Sequence, residues 1–259
     1  MQARANPTVL GTAILAVLGS ALLAALAAGP AGSAVTRAER SARPSCVPGS
    51  VHTMGTPRLA YAATALRALD ARRTLDGPAR TRFGTRNVNG VVTVFGVVGE
   101  RVDAACRATE YKVQLPVRPN GSTGWVRASD VRLHAVRTRI AVDLSRRRVT
   151  LFRDGRQVLV TTAAIGSPST PTPTGRYYVN QRLRASNPLG GYGPGAVGIS
   201  AFSPVLLNWP QGGPIAIHGT DAPSLLGSAV SHGCLRIHNS DARRLLSLAE
   251  EGTPVVISR

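Results

Sequence analysis

Lysine is almost absent from this 259-residue chain: of 31 basic side chains all but Lys112 are arginine. Acidic residues are few as well, 13 in all, which leaves a formal charge of +18. Aromatic side chains make up only 4% of the chain, too few for a lectin-like or base-stacking surface. The positive charge is spread evenly, with 18 basic and 7 acidic side chains in 1–137 against 13 and 6 in 138–259. A nucleic-acid reader would gather its charge into one stripe along a phosphate backbone, so no nucleic-acid partner is expected. A polyanion is still attracted to such a surface, and anionic cell-wall polymers are the expected kind.

That choice of polyanion comes from the first residues. Arg4 is followed by an apolar run from Val9 to Ala28 and then by small residues, Gly29-Pro30-Ala31-Gly32-Ser33-Ala34. A positive start, an apolar stretch and a small-residue exit describe an export signal. The run is also about 20 residues long, enough to span a bilayer, so residues 1–34 read as a cleaved signal or a membrane anchor. The expected location is the cell envelope or cell wall, secreted or anchored. Cysteine is scarce too, and its odd count matters. Cys46 and Cys106 lie in structural-looking segments of the N-terminal half and are candidates for a disulfide, which leaves Cys234 free in an oxidising compartment.

Four segments are expected. Residues 1–34 form the export segment. Residues 35–85 form a linker, with apolar Leu59, Ala62, Ala63, Leu66 and Leu69 at helical spacing predicting a short helix over 57–73. Residues 86–137 contain short β-prone runs and turn signals, predicting a small β module with a binding or spacer role. Residues 138–259 are again mainly β. Arg153-Asp154-Gly155-Arg156 predicts a tight hairpin, and 187–195 predicts a flap. One helix is expected over 240–251, capped by Asn239 or Ser240 and stopped at Gly252.

The chemistry concentrates between His218 and Asn239, where three histidines and Cys234 fall within 21 residues. Zinc would suit these donors, but Ser231-His232-Gly233-Cys234 lacks the paired spacings of a structural zinc site, so no metal and no cofactor is expected. Nucleophilic catalysis fits better. A thiol is only fractionally ionised at neutral pH and needs a nearby imidazole. His218 ends the apolar run Ile215-Ala216-Ile217, where a sheet can aim it at Cys234. Amides at Gly233 and Cys234 are candidates for an oxyanion site, and the Gly219 carbonyl for orienting His218.

These residues resemble the L,D-transpeptidases with a YkuD-type catalytic domain. His218, twelve intervening residues, Ser231-His232-Gly233-Cys234 and the downstream Asn239 match the family's pattern, together with Thr172-Pro173-Thr174-Gly175 and Ile215–Thr220. The resemblance covers 138–259 and implies a mainly β, sandwich-like catalytic domain with one helix. It also implies peptidoglycan cross-linking in cell wall biogenesis and cell shape, with stem peptides as substrates. Cys234 would take the acyl group from a tetrapeptide stem, releasing D-Ala, and pass it to a diaminopimelate side-chain amine. His218 would move the proton, while Ser231 and His232 would shape the site. Arg236 reads as a carboxylate contact or a buttress, Asn239 as a substrate contact or a helix cap, and Tyr192 and Trp209 as donor-site walls or packing. β-Lactams of the carbapenem type are implied as covalent inhibitors. A carboxypeptidase-type hydrolase that trims stems, and a degenerate wall-binding protein, are the alternatives.

Overall fold

The computed structural model describes residues 46–259; the export segment and the first part of the linker lie outside the described residues. Eight strands come first: β1 (Val51–Thr53), β2 (Ala60–Ala65), β3 (Leu69–Arg72), β4 (Ala79–Phe83), β5 (Val94–Val102), β6 (Ala108–Gln114), β7 (Thr123–Arg127) and β8 (Val131–Val136). They form one sheet in the order β4-β3-β7-β6-β5-β2-β8, with β1 paired to β5. Phe95, Val113, Leu115 and Val126 fill its core. Cys46 and Cys106 are bonded to each other, with Cα atoms 5.2 Å apart.

The helix expected over 57–73 is absent, and its residues form β2 and β3. Ala62, Ala63 and Ala65 pack into the sheet, while Leu66 faces solvent. β2 lies between β5 and β8 and pairs with both. Two ready-made ladders satisfy the backbone on both sides, and small alanines fit the close approach, so tertiary pairing overrides helical spacing. The first sheet therefore begins near Val51, well inside the segment read as linker.

The second sheet contains β9 (Thr138–Asp143), β10 (Arg148–Arg153), β11 (Arg156–Gly166), β12 (Gly175–Arg184), β13 (Gly195–Phe202), β14 (Pro214–His218), β15 (Ala229–Ser231), β16 (Leu235–Ile237) and β17 (Pro254–Ser258). Helix α1 (Asn239–Leu248) packs against it. Long β11 pairs with β10 through its first half and with β16 and β15 through its second. Likewise β12 pairs with β17 at its start and β13 at its end. Two bent strands thus join two layers at their edges, giving the sandwich-like, mainly β fold around one apolar core. The β10–β11 hairpin turns on Asp154 and Gly155, both at positive φ, as a two-residue type I′ turn requires.

The cap of α1 differs from the sequence reading. His238 occupies the N-cap, its Nδ1 accepting from the Ser240 amide at 3.4 Å. Asn239 is the first helical residue, and its side chain is committed elsewhere.

Candidate active site

Alternation along two neighbouring strands builds the site. β14 and β16 run parallel, with Ile217 opposite Leu235 and His218 opposite Arg236. Ile215, Ile217, Leu235 and Ile237 are buried in the core. Successive side chains of a strand point to opposite faces, so His218 and Arg236 project together from the other face, with Cys234 leading into β16. His218, Cys234 and Arg236 all line one cavity of about 410 Å³.

The turn before Cys234 is held from three directions. Buried Ser231 accepts from the Gly233 amide at 3.1 Å and donates to the Cys234 carbonyl at 2.6 Å. Thr172 donates to the Gly233 carbonyl at 2.9 Å, and Thr170 donates to the Ser231 carbonyl at 2.8 Å. Gly233 adopts φ +112°, a conformation that favours glycine, and a Cβ there would also lie 2.9 Å from the tip of the Ile215 side chain. One expected role changes as a result. The Gly233 amide is already engaged by Ser231, so of the two amides considered for an oxyanion only that of Cys234 remains.

His218 is buried and its Nδ1 lies 2.6 Å from the Gly219 carbonyl. A carbonyl only accepts, so Nδ1 carries the proton and Nε2 keeps its lone pair. Burial, helped by the Arg236 charge and opposed by the Gly219 bond, lowers its pKa to about 4. The ring is a neutral base at pH 7. Burial also raises the Cys234 thiol, with the Ala216 backbone and Arg236 pulling it back down. The residue is half-buried, with its sulfur 3.9 Å from the Pro214 carbonyl. Both partners rest in their neutral forms, so any attack by this thiol requires the loss of its proton.

The remaining candidates separate clearly. Asn239 Oδ1 accepts from the Thr220 amide at 2.8 Å and packs against Gly193 and Gly219, pinning the turn that holds His218. It neither caps α1 nor lines the cavity. Tyr192 stands over His218 with ring centroids 4.8 Å apart, and Trp209 over His232 at 5.3 Å, so both rings wall the cavity. Arg236 forms no ion pair among the described residues and lines the cavity as a cation open to an anionic group. A second cavity of about 520 Å³, bordered by Asn89, Gln181, Asn187, Tyr192 and Ala216, also reaches Cys234. The sequence reading missed Thr170 and Thr172 as supports of the nucleophile turn. In sequence, Thr172 reads only as part of a family-like Thr-Pro-Thr-Gly turn, and Thr170 as part of a Pro/Thr-rich loop. Among the described residues no three His, Cys, Asp or Glu side chains group as a metal site.

Comparison with known proteins centres on the same region. The sequence model of the YkuD-type L,D-transpeptidase catalytic domain matches residues 137–257. The YkuD protein of Bacillus subtilis (strain 168), an L,D-transpeptidase by name, is 36% identical over 120 residues, covering 46% of this chain. A Bacillus licheniformis relative of the same name shows the same identity and coverage. The chain spans 65% of the length of these relatives. Among solved structures, an Enterococcus faecium L,D-transpeptidase mutant aligns at 27% identity and a TM-score of 0.36, covering 47% of this chain and 49% of that one. The catalytic domain of an E. faecium L,D-transpeptidase acylated by ertapenem aligns at 27% identity and a TM-score of 0.34, over 47% of this chain and 96% of that one.

Proposed function

Since residues 137–257 form an L,D-transpeptidase catalytic domain of the YkuD type, we propose that the protein is an exported cysteine acyltransferase that cross-links peptidoglycan stem peptides. One observation supports this reading beyond the family: the space beside Cys234 extends two ways, towards His218, Trp209 and Arg236 and towards Asn89, Gln181 and Asn187, with Tyr192, Gln211 and Pro214 bordering both arms. A hydrolase needs room for one peptide and a water, whereas a transferase must bring an acyl donor and an amine acceptor to the same sulfur from different sides.

In the proposed reaction the Cys234 thiol attacks the carbonyl between the third, L-configured stem residue and the terminal D-Ala. Its proton passes to Nε2 of His218, the lone pair left free by the Nδ1 bond to Gly219. The Cys234 amide faces the developing oxyanion. Collapse breaks the amide bond, and His218 returns the proton to the departing D-Ala amine. The thioester then meets a diaminopimelate side-chain amine, which gives its proton to His218 as the new amide forms, and the thiol is restored. Arg236, which lines the cavity, supplies the cation for a stem carboxylate. Export by residues 1–34 and residence in the cell envelope belong to the same reading, as does acylation of Cys234 by carbapenems.

The test is a reaction of the purified chain with a tetrapeptide stem and a diaminopimelate acceptor, followed by mass spectrometry. The expected products are D-Ala and a dimer, both lost in Cys234→Ala. Tripeptide without dimer would indicate a carboxypeptidase. Full dimer formation by Cys234→Ala would overturn the assignment of the nucleophile.

A further inference from the structure

The cavity wall opposite the catalytic strands is the loop 203–213, which carries Trp209 and Gln211. Within it, the Ser203 amide donates to the Gly213 carbonyl at 2.8 Å and the Gly212 amide to the Trp209 carbonyl at 2.8 Å, while the Ser203 hydroxyl accepts from the Leu206 amide at 3.1 Å. Further holds on it come from the N-terminal sheet, through the connection between β6 and β7. Arg118 donates from one nitrogen to the Ser203 carbonyl and to the Gly212 carbonyl, each at 2.7 Å, so a single guanidinium staples both ends of the loop. Asn120 donates to the Phe202 carbonyl at 2.8 Å and accepts from the Phe202 amide at 2.9 Å, as a neighbouring strand would.

A third hold reaches the cavity itself. Gln211 sits at φ +56°, a conformation that non-glycine residues adopt only when their surroundings impose it. Its side chain donates to Asn89 Oδ1 at 3.0 Å, and Asn89 donates to Gln181 Oε1 at 2.9 Å. Asn87 donates to the same Gln181 oxygen at 2.9 Å. Asn89, Gln181 and Gln211 all border the second cavity, so the N-terminal sheet contributes directly to its surface. With the amides oriented by these bonds, Gln181 Nε2 and Gln211 Oε1 are left over. One donates and one accepts, which is the pair an uncharged peptide group requires. Gly198 leaves the room for it, since a Cβ there would lie 2.9 Å from Gln181 Nε2.

We propose that the N-terminal sheet is a specificity-determining part of the Cys234 site: Arg118 and Asn120 position the 203–213 loop, and the Asn89–Gln181–Gln211 relay presents a surface for the backbone of a peptide substrate. The proposal rests on the acyl-transfer reading above. It assigns the sheet to peptide binding and leaves the reaction of Cys234 to the catalytic strands, which are held independently.

The experiment compares the full wild-type chain with Arg118→Ala, Arg118→Lys and Asn89→Ala. For each, the KM and kcat for a tetrapeptide stem are measured, with the rate at which a carbapenem labels Cys234. Acrylamide quenching of Trp209 is followed in a Trp125→Phe background. Arg118→Ala should raise the peptide KM about tenfold and increase the quenching of Trp209, already half-exposed in the wild type, with kcat and carbapenem labelling within about twofold of wild type. Arg118→Lys, which keeps the charge and its donors but on a shorter, unforked stem, should recover part of the KM, and it carries the test if the alanine variant does not fold. Asn89→Ala should raise KM by roughly threefold, having lost the relay but not the staple. An unchanged peptide KM in a folded Arg118 variant overturns the proposal. So does a parallel loss of labelling and peptide turnover, which marks a general structural role. A wild-type chain that takes no label at Cys234 would instead sink the functional reading on which this one rests.

Discussion

The burial of His218 sets a cost that can be measured as stability against pH. In the unfolded chain the ring titrates near its ordinary 6.5, but in the folded protein it titrates at about 4. Between those values the unfolded state holds a proton that the folded state does not, so stability falls as pH falls from 6.5 towards 4 and levels off below. The slope is about 1.4 kcal/mol per pH unit inside the window, and the whole loss is about 3 kcal/mol, a large part of the stability of an ordinary domain. Carboxylates also titrate near the lower end, so the comparison needs a reference. His218→Gln keeps a polar group near the Gly219 carbonyl but cannot titrate. Urea denaturation of both proteins from pH 7.5 to 4 should show the wild type losing about 3 kcal/mol more than the variant. The same pKa predicts that carbapenem labelling of Cys234 persists to about pH 4, because a neutral imidazole is still present there. Parallel stability curves for the two proteins, or an acid limb of labelling near pH 6.5, would refute the neutral-base arrangement.

Other consequences follow from single contacts. Ser231→Ala leaves the buried Gly233 amide and Cys234 carbonyl without their partner; a loss of about 2–3 kcal/mol, or roughly 4–12 °C in Tm by calorimetry, is expected with slower labelling of Cys234. A Tm within a degree of wild type would show that the turn is held without the serine. Gly219→Ala drives a methyl into Asn239 Oδ1 and to 2.7 Å from the Pro194 side chain, so peptide turnover should fall at least tenfold through a displaced His218. Asn239→Ala in the same background should restore part of it, a double-mutant coupling that unrelated sites would not show. Removing the disulfide by replacing Cys46 and Cys106 with serine opens a loop of 60 residues' separation and should cost about 4 kcal/mol in denaturant titration. Labelling of Cys234 in the folded fraction should be unchanged.

Much of the site was legible because it is local and periodic. Ile215 and Ile217, and Leu235 and Ile237, alternate with the residues that must face outward. Their spacing alone puts His218 and Arg236 on working faces, and the Ser231–Cys234 motif marks the nucleophile turn. The Asp154-Gly155 hairpin was legible for the same reason, since two left-handed residues in sequence permit little else. Contacts between distant segments left no such trace. Ala62 and Ala63 are spaced like a helix, and only the neighbouring β5 and β8 make their segment a strand. Asn239 and Ser240 both look like caps, but the cap fell to His238 because the Asn239 carboxamide is drawn to Thr220 across the fold. Thr170 and Thr172 support a turn 61 residues away, and Arg118 reaches carbonyls 85 and 94 residues on. The sequence alone determined which side chains are the candidates for reaction and which faces of their strands they occupy, because strand periodicity and motif spacing are properties of short segments. The tertiary structure decided which tautomer His218 adopts, which amide remains for an oxyanion and what walls the cavities, because burial and side-chain bonds to remote backbone exist only once the sheets are assembled.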